Sequence, residues 1–198
     1  MRDFSACFAF LLFTLASARA EPDAGQLVHD FSGSLVFFIE GGGGADSGFV
    51  CQWKDGIFIT TNQPVLAGLP TVNITKLDGA RIPARAVQAA VGHDIMRLAT
   101  SEVPKPLVAS PDVEGDARIG DEVAVLGNRE GARVIQPLMG RRLGIGPDRI
   151  EVSAEFVPGN SGSPIIHWKS GKVIDIATYL KTREQMYKLF DGLLMAKQ

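Results

Sequence analysis

The residues with the clearest chemical potential lie in Phe156–Ile166, FVPGNSGSPII. Asn160-Ser161 sits between Gly159 and Gly162, with Pro158 and Pro164 outside them and an apolar run following. Glycine accepts backbone angles and close approaches that other residues resist, so this pattern suits a tight, shaped loop. Such a loop can hold the Ser161 hydroxyl outward while backbone N–H groups converge on one point. A nucleophile beside an oxyanion hole requires that arrangement. The same residues also read as an ordinary turn entering a strand.

The chain around this loop has 198 residues, 45% hydrophobic and 21% charged, enough for one sizeable domain or two fused lobes with a real core. A net charge of -2 with no basic run argues against a nucleic-acid partner. Twenty-two glycines and eleven prolines imply many turns and favour a strand-rich fold. Strands are expected at Ser34–Ile39, Gly48–Trp53, Gly56–Thr61, Val72–Leu77 and Ala80–Ala90, and over His93–Ala99. The segments Glu122–Leu126, Arg133–Leu138, Arg149–Val152, Ser163–Trp168 and Lys172–Tyr179 continue the rhythm in the second half. Glu21–Asp30 reads as a lead-in, and Ser101–Pro111, carrying Pro104, Pro106 and Pro111, as a connector. Met186, Leu189, Phe190, Leu193 and Leu194 recur at helical spacing, which predicts a terminal amphipathic helix packed on its own domain.

Arg2, the apolar run Phe4–Ala16 and Ala18-Arg19-Ala20 before Glu21 form a secretory signal peptide pattern. A short membrane anchor or buried helix is the alternative, but the run is short for a bilayer span. The expected location is therefore exported, periplasmic or secreted, with no stable membrane insertion after cleavage. Cleavage would leave Cys51 as the one cysteine, in a strand and read as an inert apolar residue; an intermolecular disulfide or a reactive thiol are the alternatives. Three scattered histidines and one mature cysteine give no metal-ligand cluster, and Gly41–Gly44 lacks the lysine and following helix of a phosphate-binding loop. Neither a metal nor a cofactor is expected.

Several segments together resemble the chymotrypsin-like serine peptidases, above all the bacterial Deg-type secreted group. Gly159-Asn160-Ser161-Gly162-Ser163-Pro164 is similar to their nucleophile loop, and Gly120–Gly127 (GDEVAVLG) to an early strand of their second barrel. Asp94–Leu98 resembles the segment with the catalytic aspartate, and Gly48-Phe49-Val50 with Ile59-Thr60-Thr61-Asn62 the approach to the histidine. The resemblance runs from about Ser34 to Leu180. It implies an all-β, chymotrypsin-like pair of six-stranded antiparallel β-barrels with a C-terminal α-helix. The organisation expected is a signal peptide over 1–20, a first barrel over 31–100, a connector over 101–115, a second barrel over 116–180 and a helix over 181–196. The resemblance assigns Ser161 as nucleophile, Asp94 as the acid, and the N–H groups of Gly159 and Ser161 as oxyanion hole. It also places Ala177, Thr178 and Tyr179 along the substrate edge and brings Glu155 toward the base of the specificity pocket, a surface position being the alternative.

The departure from the pattern is at Thr61-Asn62-Gln63-Pro64-Val65, where the family has Thr-Asn-x-His-Val, so Pro64 stands at the histidine position. Proline has no side-chain proton acceptor, and the aspartate orients an imidazole without replacing it. Gln63 is near the gap, but an amide is not an effective base. His93 neighbours Asp94, and on one strand the two would point to opposite faces. His167 follows the nucleophile strand, and His29, ahead of the first strand, is the best rescue candidate. The expected function is an exported pseudopeptidase that binds an extended peptide or protein by backbone pairing. The alternatives are a weak serine endopeptidase using Ser161 with a non-standard base, and a structural domain without a cleft ligand.

Overall fold

The computed structural model describes residues 23–39, 45–66, 73–101, 105–147, 149–178 and 186–189. The signal peptide expected at 1–20, the run Gly41–Gly44 and Tyr179 lie outside them. The lead-in folds as a helix, α1 (Ala24–Phe31), with the Asp23 carboxylate accepting the Gly25 N–H at 3.1 Å as its cap.

The first sheet is built from β1 (Leu35–Ile39), β2 (Ala45–Trp53), β3 (Gly56–Thr61), β4 (Asn73–Lys76), β5 (Arg85–Ala89) and β6 (Met96–Ala99), in the order β4-β1-β2-β3-β6-β5. A single helical turn, α2 (Gln63–Leu66), follows β3. Alternation divides the strands between two faces. Val36, Phe38, Val50 and Ile59 fill the inside of this curled sheet, whereas Leu35, Phe49 and Cys51 face the second lobe.

The second sheet comprises β8 (Glu122–Asn128), β9 (Ile135–Ile145), β10 (Ile150–Val152), β11 (Pro164–His167), β12 (Val173–Thr178) and β13 (Met186–Leu189). Its order is β10-β9-β8-β11-β12-β13, and β13 returns beside β10, which nearly closes the barrel. Val123, Val125, Ile165 and Ile174 fill it. Ala124, Leu126, Ile166 and Val173 turn outward onto Leu35, Phe49, Cys51 and Leu107 of the first lobe, every one of these no more than 2% exposed. Buried side chains of the larger kinds stabilise by about 1.5–3 kcal/mol each, so the seam is a core in its own right. The double-barrel expectation holds.

The segment expected as a connector, 101–115, contains β7 (Leu107–Val108), which pairs in parallel with β2, and leads into the turn α3 (Val113–Asp116). Two local expectations are corrected. His93 and Asp94 are not strand residues: residues 91–94 form the turn between β5 and β6, closed by the Ala90 N–H donating to the Ile95 carbonyl at 2.9 Å. Within the expected helix 181–196, Met186–Leu189 is a strand, with Met186 opposite Thr178 and Leu189 opposite Asp175. An open edge on β12 leaves backbone groups wanting partners, and satisfying them outweighs a weak helical periodicity. The rest of 181–196 lies outside the described residues.

Candidate active site

Ser161 is half-buried in the turn between the extended segment 153–157 and β11. Asn160, 1% exposed, braces the turn from within: its Oδ1 accepts the Val157 N–H at 2.9 Å and its own N–H donates to the Val157 carbonyl at 3.1 Å. A trans peptide is planar, so its C=O and N–H point in opposite directions. The Pro158 carbonyl accepts the Glu130 N–H at 2.9 Å, which aims the Gly159 N–H away from the β8–β9 turn. The Asn160 carbonyl accepts the Ser163 N–H at 3.0 Å, which fixes the Ser161 N–H in the same manner. Gly159 has φ +91°, and a Cβ there would lie 2.4 Å from the Asn128 carbonyl oxygen, so only glycine lets the loop pass.

Asp94 lies in the β5–β6 turn and bonds the segment that follows β3. Its Oδ1 accepts the Gln63 N–H at 2.9 Å, and its own carbonyl accepts Asn62 Nδ2 at 2.8 Å. The same Asn62 amide donates to Thr178 Oγ1 on β12 at 3.0 Å, joining the lobes. Gln63 Nε2 holds the Ala90 and His93 carbonyls at 3.2 and 2.8 Å. The Asp94 carboxylate thus caps the first N–H of α2, and the next residue, Pro64, is exposed and has no N–H to be capped.

The other expected site residues are distributed as follows. Glu155 is exposed between buried Ala154 and Phe156, so strand-like alternation turns it to solvent and away from the base of a pocket. Ala177 is no open edge: its N–H donates to the Ser163 carbonyl and its carbonyl accepts the Gly162 N–H, both at 2.9 Å. Thr178 is buried, holding Asn62. The imidazole of His29 is exposed on α1 and faces Asp30 at 3.4 Å. His167 is buried at the end of β11, its Nδ1 2.8 Å from Ser170 Oγ and its Nε2 3.4 Å from Asp121 Oδ2. Burial pushes the His167 pKa down, against the pull of Asp121 and Asp116. His93 Nδ1 is buried with no hydrogen-bond partner among the described residues. Cys51 is buried on β2, and desolvation pushes its thiol up to about 12.

Two residues at the loop were not anticipated from sequence, Ser47 on β2 and Asn128 at the end of β8. The expected strand began at Gly48, three residues after the observed start of β2 at Ala45. Extending the alternation of Phe49 and Cys51 back by one step would have put Ser47 on the face that meets the second lobe.

Residues 46–176 match the family described as the trypsin-like peptidase domain. A protein of Sinorhizobium fredii, "Uncharacterized protein y4bJ", is 30% identical over 128 residues, 61% of this chain and 20% of its own length. The chain therefore spans about one fifth of that relative. Among solved structures, the inactive form of Rv3671c from M. tuberculosis, a serine-to-alanine mutant, has a TM-score of 0.64 at 23% identity, with 86% of this chain and 89% of that one covered. The serine endoprotease from Yersinia pestis has a TM-score of 0.67 at 19% identity, covering 85% and 62%. The HtrA-type protease AlgW with tripeptide also scores 0.67, at 21% identity, covering 85% and 60%. At such identities the likeness is one of fold. The family match is broader in meaning: from β2 to β12 it takes in the Asp94 turn, the Ser161 loop and the seam between them, and this chain belongs to the trypsin-like peptidase domain family.

Proposed function

We propose that this is an exported peptide-binding domain of the peptidase fold in which conventional hydrolysis has been lost. The observation that carries this is the Asp94 carboxylate bonded to the Gln63 N–H at 2.9 Å with Pro64 next in the chain. In the family pattern an imidazole at that next position would bridge carboxylate and serine. Here the acid has become a cap on a helical turn, and a ring without a proton acceptor takes the place of the base. The signal-peptide pattern at the N-terminus supports export. The braced Gly159 and Ser161 peptides support retained recognition of a ligand carbonyl. The main-chain groups of Ala177 are already engaged, so a bound chain would pair elsewhere than at Ala177.

The test is labelling of the mature protein by a fluorophosphonate, in which Ser161 Oγ attacks phosphorus, fluoride leaves and a base takes the hydroxyl proton. The expected result is no labelling of wild type and labelling confined to Ser161 in Pro64→His, with binding of unfolded, carboxymethylated lactalbumin retained in both. Rapid labelling of wild type that Ser161→Ala abolishes would overturn the proposal in favour of an active hydrolase with another base. Absence of polypeptide binding would leave a structural domain.

A further inference from the structure

The Ser161 loop belongs to the second lobe, yet a residue of the first lobe bonds it at two carbonyls. Ser47 on β2 is 1% exposed and shares its face with Phe49 and Cys51. Its hydroxyl donates to the Gly159 carbonyl at 2.6 Å and accepts the Asn128 N–H at 2.9 Å. Its N–H donates to the Ser161 carbonyl at 3.3 Å, and its own carbonyl accepts Thr61 Oγ1 at 2.9 Å. A hydroxyl has one proton to give. With Asn128 supplying a donor to the oxygen, that proton has a set direction, onto the loop carbonyl two residues before Ser161.

The four successive peptides from Pro158 to Gly162 are then held in alternation. Glu130 N–H holds the first carbonyl and Ser163 N–H the third, both from the second lobe; Ser47 holds the carbonyls of the second and the fourth, whose N–H groups donate within the second lobe to the Val157 and Ala177 carbonyls. Rotating the Gly159 N–H out of line requires turning its neighbour as well, which Ser47 resists. The fit is close: Gly162 has φ +85°, and a Cβ there would sit 2.1 Å from the Ser47 carbonyl oxygen and 2.4 Å from Thr61 Oγ1. Asn128 completes the node. Its Nδ2 donates to the Ala45 carbonyl at 2.6 Å, and its Oδ1 accepts the Arg133 N–H at 2.7 Å.

We infer that Ser47 is a positioning residue, which sets the Gly159 and Ser161 N–H groups of the opposite lobe in the direction needed to meet a ligand oxygen. This rests on the loop being the ligand-recognition element proposed above. It adds that the element is completed across the seam, by the first lobe.

The test compares Ser47→Ala with Ser110→Ala, a second fully buried hydroxyl that bonds Asp116 at 2.6 Å. In ¹H–¹⁵N spectra of the ligand-free mature protein, Ser47→Ala is expected to displace the Gly159 and Ser161 amide signals, and Ser110→Ala to leave them in place. If the alanine variant does not fold, Ser47→Cys, which keeps the volume and weakens the donor, gives the same pattern at lower amplitude. In the Pro64→His background, Ser47→Ala is expected to slow fluorophosphonate labelling of Ser161 at least about tenfold, toward the roughly 10²–10³ that outright loss of an oxyanion donor costs. Ser110→Ala should stay within about twofold of its parent. Unmoved amide signals in Ser47→Ala, or equal displacement by Ser110→Ala, would overturn the inference. The spectra need no acylation, so a Pro64→His variant that fails to label would count against the lost-base proposal alone.

Discussion

Replacing Asp94 separates a capping carboxylate from one that orients a base. In Asp94→Ala the Gln63 N–H loses the acceptor now 2.9 Å away. A hydrogen bond to a charged group contributes about 1.5–3 kcal/mol. Asp94 is half-buried, so water relieves part of the loss and the lower end applies, about 1.5 kcal/mol. For a domain of this size that lowers the thermal midpoint by about 3–6 °C. Asp94→Asn keeps a carbonyl oxygen for the same N–H and should lose only about 0.5 kcal/mol, the difference between a charge-assisted and a neutral bond. Urea unfolding at neutral pH, read as midpoint and slope, measures both. An alanine variant as stable as wild type, or an asparagine variant as damaged as alanine, would refute the capping role.

Two further outcomes follow from burial. The folded-state pKa of His167 lies below its ordinary 6.5, so the unfolded chain takes the proton first as pH falls. Its contribution is complete above pH 6.5 and declines below that value until the folded state also titrates; urea midpoints at about pH 7.5 and about pH 5.5 should differ less in His167→Gln than in wild type. An unchanged difference would exclude His167 as the source. With its thiol pushed up to about 12, Cys51 should resist Ellman's reagent in the native mature protein and react once urea unfolds it. Reaction of the native protein at the rate of a free thiol would contradict the buried placement.

The fold was legible because both lobes keep a period of two along their strands. Val36, Phe38 and Val50 go inward, and Phe49 and Cys51 go to the seam, as alternation requires. The loop at Ser161 was legible through its glycines, of which Gly159 and Gly162 take positive φ. What sequence missed depends on partners distant in the chain. Met186–Leu189 carries apolar residues at both ends, a spacing that suits a helical turn, and only the waiting edge of β12 makes it a strand. Asp94 was expected on a strand because an apolar run follows it directly, but that run pairs with β3 only from Met96. Glu155 and Ala177 were placed by resemblance; exposure decides the first, and hydrogen bonds to Gly162 and Ser163 decide the second.

The segment Leu107–Ser110 pairs beside Cys51 and Gln52 in one sheet, and then, through the Ser110 N–H to the Val173 carbonyl at 2.8 Å, reaches the other. A linker sewn to both halves is no hinge. Jaw-like gripping, with the halves swinging apart to admit a partner and shutting on it, would mean tearing those stitches and wetting Leu107, Leu126 and Ile166. The separation of Asp94 from Ser161 is therefore a fixed dimension of the scaffold. Under the peptide-binding role proposed above, a partner would be selected by its match to that constant spacing, and adaptation would come from the surrounding loops.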